Sequence, residues 1–525
     1  MPNLLLIRPV RNSYPFRPLS LALLSALAKR RGWKTRLFDA GKVPQTSSCG
    51  CPGQPHPDYS DGSLQTVPDR EMVRELSEAL SEFAPDLVAI TVFSDNRFTA
   101  AAITHVIKQS DPRIPVLWGG VEPTINPERA LQEFRADIVC RGEGIGAFED
   151  LLQAYEKGTQ ISAIPNLWFR GTDGIICNPV RPLKSDFDDL PFLDMELFPE
   201  FARTREKLHG AVVGADHMIT HGCPNSCSYC INAFYHSLYK RQYCIRQYSA
   251  KRIVGELRWM KERFGIGFFN FHDEDFLLKD EKYLQELADT YSRDVGLPFS
   301  IQASPQSITD EKARLLKSMN CSNVTIGIET GDDGIRAGLL GRPDSRKDII
   351  RCIGILKQNS IRSSSFNMLA HPFYSREAYE KTIEVNRTAG VDAPSALFFY
   401  PYEGTQIREI AIDHGFFSPE NPKTAVHRFQ VPALRFPGLG ADELVGMREV
   451  FYLHCRLPAE FAPFIHRAEK QDQMGRELQA LLEQVNAVRM NCGCSPSIMD
   501  SRDRNYLNQM ERLCGEKGVA RREQV

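Results

Sequence analysis

Over the first 160 residues, short apolar runs alternate with longer stretches whose apolar positions recur every three or four residues. Leu4–Ile7 is apolar throughout and closes at Pro9, the pattern of a strand buried on both faces. From about Pro18 the period changes. Leu19, Leu23, Leu24 and Leu27 share one helical face, Lys29–Arg31 bring basic charge to the last turn, and Gly32 stands just past it. Further strands are predicted at Thr35–Phe38, Leu87–Phe93, Pro115–Trp118 and Asp137–Cys140, with helices at about 69–83, 97–109, 127–134 and 146–156. This alternation predicts an α/β, doubly wound, Rossmann-like domain over residues 1–160. Its segment from about 41 to 66, rich in Ser, Gly, Pro and Gln, reads as an inserted loop.

Residues 161–210 read as a connector with a small β element around Asn166–Arg170, punctuated by Pro182, Pro191 and Pro199. A second α/β series follows over 211–412. Its strands are predicted at His217–Thr220, Gly267–Phe271, Phe299–Ala303, Asn323–Ile328, Ser365–Leu369 and Ala396–Tyr400. Between the first two, Ile253, Leu257, Met260 and Phe264 form the apolar stripe of a helix over 249–264. Six such units predict a partial (β/α)6 TIM-type barrel, with its chemistry on loops at the strands' C-terminal ends. Residues 413–525 carry no strand pattern and read as mainly helical, with helices at 441–455 and 466–490.

Composition narrows the picture. At 525 residues the chain exceeds what one hydrophobic core supports. The net charge of −2 gives no electrostatic reason to expect nucleic acid as partner. No apolar run reaches the roughly 18–20 residues that span a bilayer, so no transmembrane segment is expected. The first residues lack the basic n-region of an export signal, and a cytoplasmic location is expected. Fourteen cysteines without that signal do not suggest a disulfide framework.

One cysteine group stands apart: His221-Gly222-Cys223-Pro224-Asn225-Ser226-Cys227-Ser228-Tyr229-Cys230, directly after a predicted strand. Three thiolates at spacings of four and three on one loop can converge on a metal centre. A cubane has four irons, so three ligands leave one iron open, and an open coordination position is what a catalytic centre needs. The competing reading is a zinc knuckle completed by His221 or His236. The pairs Cys49/Cys51 and Cys492/Cys494 read as incidental rather than as ligands of an auxiliary cluster.

This CxxxCxxC, on the loop after the first strand of a partial barrel, resembles the signature of the radical S-adenosylmethionine (SAM) superfamily. The resemblance implies a 4Fe-4S cluster on Cys223, Cys227 and Cys230, with SAM on the open iron and an external low-potential electron donor of flavodoxin or ferredoxin type. It implies Tyr229, Asp273, Gln302 and Glu329 as SAM-side residues. Pro401-Tyr402-Glu403-Gly404-Thr405 is similar to the family's P-x-x-G-T turn. After the fifth strand, however, Ala370-His371-Pro372-Phe373-Tyr374 replaces the family's G-x-P-G turn. His272 and His371, at strand ends, are candidate acid–base residues.

A doubly wound domain ahead of such a barrel resembles the cobalamin-binding class of the superfamily, the class B-type methyltransferases. The residues that carry it are Trp118-Gly119-Gly120-Val121-Glu122 and Cys140-Arg141-Gly142-Glu143-Gly144. It implies cobalamin bound near Ser94, Asn96, Arg97, Gly119, Gly120, Glu122, Gly142 and Glu143. Because D-x-H-x-x-G is absent, no histidine ligand to cobalt is implied. Gly142-Glu143-Gly144-Ile145-Gly146 has the wrong spacing and place for a nicotinamide fingerprint.

The implied activity is methylation of an unactivated carbon or phosphorus centre through a 5′-deoxyadenosyl radical and methylcobalamin, on a small-molecule, lipid or natural-product precursor. Two alternatives remain: oxidative cyclisation or rearrangement without methyl transfer, and a non-catalytic corrinoid or metal carrier or sensor.

Overall fold

Strands β1 (Asn3–Arg8), β2 (Lys34–Asp39), β3 (Leu87–Thr91), β4 (Val116–Gly119) and β5 (Ile138–Cys140) form a parallel sheet in the order 2-1-3-4-5. This computed structural model describes residues 1–10, 18–42, 70–171, 174–198, 213–240, 242, 244–419, 431–492, 499 and 501–516. The near-continuous apolarity of the first strand has a direct cause, since helices cover both faces. Leu4 and Leu6 pack with Leu21 and Leu151 on one side, and Leu5 and Ile7 with Leu76 and Ile103 on the other. The order reverses between β1 and β3, the switch point where open α/β sheets place their ligands.

The small β element of the connector belongs to this same sheet. β6 (Leu167–Gly171) pairs antiparallel with β5, and β7 (Gly174–Cys177) pairs with β6, so the sheet runs past residue 160. The hairpin covers an edge that the three-residue β5 would otherwise leave open. Downstream, Phe187, Leu190, Leu193 and Met195 join one apolar cluster shared by the N-terminal helix Leu19–Arg30 and the barrel helix Ala250–Phe264. Polar contacts fix the seam: Ser25 Oγ and Lys29 Nζ reach Asp194, and Glu256 accepts from the Leu193 amide.

The second sheet begins with β8 (Gly214–His217). A short antiparallel pair, β9 (Thr220–His221) and β10 (Arg246–Gln247), precedes its next strand. β11 (Phe268–Phe271), β12 (Phe299–Ala303), β13 (Cys321–Glu329), β14 (Arg362–Leu369) and β15 (Ala393–Phe398) complete six parallel strands that neighbour one another in chain order. The sheet is thus an open barrel whose free edges are β8 and β15. The first strand lies three residues before the predicted His217–Thr220. The chain turns at Met218–Ile219 because Asp273 accepts the amides of Ile219 and Thr220 and so pulls Thr220 out of line.

Beyond the barrel, helix Ala441–Arg456 packs on β15 and on helix Arg376–Ala389. The helix expected over 466–490 is two, Ala462–Ala468 and Gln473–Cys492, interrupted at Gln471 with φ 52°. No strand follows β15 among the described residues.

Candidate active site

The three-cysteine loop is held from both flanks. The Ser228 amide donates to Leu340 O, Ser228 Oγ donates to Leu339 O, and the Ile407 amide donates back to Ser228 O. Cys223 is buried, Cys227 and Cys230 are half-buried, and none forms a disulfide. Burial pushes the Cys223 thiol up to about 12 and Cys230 to about 11, and raises Cys227 too. Three desolvated soft donors on one loop favour the thiolate only when a metal centre neutralises them, so the donor set fits a cluster. The zinc-knuckle histidines are otherwise engaged. His236 Nε2 donates to Cys223 O at 2.8 Å, and the His221 ring is buried between Phe187 and Tyr248, its pKa lowered to about 4 by burial.

Beside this loop lies a polar trio. Arg342 Nη1 donates to Tyr229 OH at 2.9 Å, Tyr229 OH lies 3.3 Å from Glu329 Oε1, and Arg342 stands 3.7 Å from the same carboxylate. Burial raises the Glu329 carboxyl, and Arg342 opposes it. Buried Arg336 anchors the segment by donating to the carbonyls of Ile328, Thr330 and Asp344 and pairing with the Asp344 carboxylate. Tyr229 and Glu329 thus come together as expected. Arg342 did not stand out in the sequence, its only signal being a cation in the non-helical Gly341-Arg342-Pro343 between the short helix after β13 and the next helix. A guanidinium, a phenol and a carboxylate beside the cysteine loop fit the amino-acid moiety and ring of SAM.

The acidic turn after β11 divides by alternation. Asp273 is fully buried and spent inside the protein: it accepts from the Ile219 and Thr220 amides, from Thr220 Oγ and from Lys279 Nζ at 3.0 Å. Burial alone would raise its carboxyl, but Lys279 and these donors outweigh burial and hold it below the usual range. It therefore positions the cysteine loop and, wholly buried, presents no oxygen to a cofactor. Asp275 caps the next turn in the same way. Between them Glu274 points outward, accepts from Asn232, and bears electrostatically on Cys223 and Cys230. Water reaches its side chain, yet the surrounding walls still raise its carboxyl. Glu274 is the acidic residue of this turn that faces the site, and the period of two could have singled it out.

Gln302 points into the barrel, and His272 Nε2 pairs with Asp216 Oδ1 at 2.8 Å at the same mouth. His371 does not face the site. It is wholly buried, its Nδ1 donates to Pro372 O, and it stacks edge-on against Tyr374.

At the N-terminal domain's edge, several residues expected to touch cobalamin join the two domains instead. Arg129 bridges Glu122 and Glu403, the latter in the P-x-x-G-T turn after β15, and Asn126 donates to Glu403 at 2.7 Å. Glu143 accepts from the Lys184 amide and from Arg246 at 2.7 Å, while its own amide donates to Tyr239 OH. Gly142, at φ 84°, leaves room for that phenol: a Cβ there would lie 2.2 Å from it. Gly120, at φ 109°, packs backbone to backbone on β3, where a Cβ would lie 2.6 Å from Val92 O. Asn96 closes its own turn by accepting the Phe93 amide, and Arg97 donates to the carbonyl of buried Ser94.

What remains open at this edge is exposed Phe93, Gly119, next to which a Cβ would meet nothing, and Glu122 Oε2, a buried acceptor without a partner. An apolar face with an unpaired acceptor fits a corrinoid, whose periphery carries amide donors.

A doubly wound sheet and an open barrel with their C-terminal edges apposed, one bearing a three-cysteine loop, have the layout of a two-cofactor iron–sulfur enzyme. The family model described as B12 binding domain matches residues 13–152, and that of the radical SAM superfamily matches residues 218–385. The chain belongs to the cobalamin-binding-domain radical SAM family, whose cofactors are a 4Fe-4S cluster, SAM and cobalamin.

Among curated proteins it is similar to uncharacterized methyltransferase PH0819 of Pyrococcus horikoshii, 24% identical over 64% of this chain and 72% of that protein. It is also similar to the anaerobic magnesium-protoporphyrin IX monomethyl ester cyclase of Rubrivivax gelatinosus, 23% identical over 62% of this chain and 59% of the cyclase. Its fold is similar to the radical SAM methyltransferase TsrM of Kitasatospora setae, solved with cobalamin and 4Fe-4S cluster bound (TM-score 0.61, 15% identity, 94% of this chain, 100% of that one). It is likewise similar to the cobalamin-dependent enzyme OxsB (TM-score 0.66, 14% identity, 98% of this chain, 76% of that one). No helix of the described residues is long and apolar enough to cross a membrane.

Proposed function

We propose that this enzyme methylates an unactivated carbon or phosphorus centre of a small molecule held in the barrel lumen. The observation that carries the reading is the apposition of the two sheet edges through Arg129–Glu403 and Glu143–Arg246. Groups bound at the two edges would face one another, as transfer between cofactor and substrate requires. When bound, the cluster with SAM supplies a hydrogen-abstracting radical, and cobalamin supplies a transferable methyl group.

The protein's part is positioning. Cys223, Cys227 and Cys230 would hold the cluster, Tyr229, Glu329 and Arg342 would orient SAM, and Gln302 and the His272–Asp216 pair would face the substrate. Arg342 balances the charge of Glu329, and an apolar wall borders the same cavity. The curated cyclase relative favours a second reading, oxidative ring closure without methyl transfer. Product mass after anaerobic turnover with labelled SAM decides between them. A gain of one CH2 with retained methyl label supports methylation, and a mass decrease with unlabelled product refutes it.

A further inference from the structure

The barrel lumen differs from the packed interior of a closed TIM barrel, which layers of branched apolar side chains fill. Here Phe269, Phe271, Phe299, Ile301, Val324 and Ile326 point outward into the core beneath the helices, so the residues between them face inward. Those inward positions are small and polar. Ser300 Oγ donates to Asn270 Oδ1 at 2.7 Å, and Ser364 Oγ donates to Asn323 Oδ1 at 2.9 Å, forming a hydrogen-bonded floor across four strands.

The opposite wall is different in kind. Phe366 on β14 and Leu397 on β15 are each 43% exposed although both lie within strands. With Tyr229, Glu329, Met368 and Tyr400 they line a cavity of about 240 Å³ that is chiefly apolar. Large apolar side chains exposed inside a concavity mark a surface that a ligand covers. Charge adds a second constraint. Between the polar floor and the Glu329–Arg342 pair, no inward-facing strand position carries lysine or arginine, and Arg362 lies at the bottom end of β14. The acidic residue on this stretch is Asp216, paired with His272. A phosphate, sulfonate or carboxylate in mid-lumen would be desolvated opposite no cation.

We propose that the lumen selects a neutral or amine-bearing, ring-containing apolar small molecule, laid against Phe366, Met368 and Leu397 with its polar edge toward Gln302 and the His272–Asp216 pair. Phosphorylated and sulfonated molecules are excluded, and an ionised phosphorus acid with them, so of the two centres proposed above the lumen takes the carbon centre. The inference rests on the lumen being the substrate site of the proposed methylase.

The test uses the full-length, cluster-reconstituted protein, saturated with SAM without reductant so that the Tyr229–Glu329 end of the cavity is filled, and two fluorescent probes that differ in charge, neutral N-phenyl-1-naphthylamine and anionic 1-anilinonaphthalene-8-sulfonate. The neutral probe should bind saturably at one equivalent, at least tenfold tighter than the sulfonate. Phe366→Ser and Leu397→Ser should each weaken it at least tenfold while the iron–sulfur absorbance is retained. Unchanged binding in both variants, or equal affinity for the two probes, would overturn the proposal. Probe binding involves neither cobalamin nor SAM cleavage, so its failure is separable from failure of the methylation reading.

Discussion

Two histidines at barrel strand ends, His272 and His371, look alike in the sequence and meet opposite fates. His272 faces the mouth on an Asp216 partner, whereas His371 is sealed in the core and burial lowers its pKa to about 4. An unfolded histidine titrates near 6.5, so below that pH the unfolded chain binds a proton that the fold refuses. The stability from a neutral His371 is therefore full above about 6.5 and is lost as pH falls toward 4, a loss of at most about 3 kcal/mol. His371→Gln keeps a donor for Pro372 O and removes this titration. The fall in Tm between pH 7 and pH 5 should be shallower in the variant, and identical slopes would disprove a neutral buried imidazole.

At the scale of elements, strand ends determine where chemistry-bearing side chains point. β13 changes register between Gly327 and Glu329, and Glu329 takes a left-handed backbone at φ 64°. This departure from alternation brings the carboxylate to Tyr229 and Arg342, at a cost that functional sites commonly carry. The turn after β4 is constrained differently, by contact between Gly120 and the β3 backbone. Gly120→Ala should cost about 2–4 kcal/mol through strain and steric displacement. Denaturant unfolding of the apoprotein measures this, and an unchanged midpoint would show that the turn yields freely.

For the whole molecule, two domains with separate sheets share one apolar cluster and a chain of ion pairs. Arg129 separates two carboxylates that would otherwise face each other, one of them buried Glu122. Removing one partner of such a group leaves uncompensated charge and costs about 3–5 kcal/mol when fully buried, less here because Glu403 is half-exposed. Arg129→Ala should accelerate amide exchange over residues 121–129 and 401–405 together and reduce cobalamin retention. Exchange confined to one segment would show that the domains do not depend on this contact.

The sequence by itself determined the element types and singled out the three-cysteine loop. Burial on both faces writes continuous apolar runs, helices write a period near 3.6, and three ligands on one loop need no distant partner to be recognised. Only the tertiary structure decided which polar residues stand beside the cysteine loop and which join the domains. Asp273, Glu143 and Glu122 each occupy a strand end where a ligand contact was expected, yet each meets a protein partner: Asp273 meets Thr220 from another strand end and Lys279 from its own turn, Glu143 meets Arg246, and one oxygen of Glu122 meets Arg129 on the next helix. Local pattern carries a side chain's direction, whereas its hydrogen-bond partners depend on how strands and loops assemble and on how the domains dock. Closure of the barrel brings Arg342 to Tyr229 and leaves Phe366 and Leu397 exposed inside the lumen.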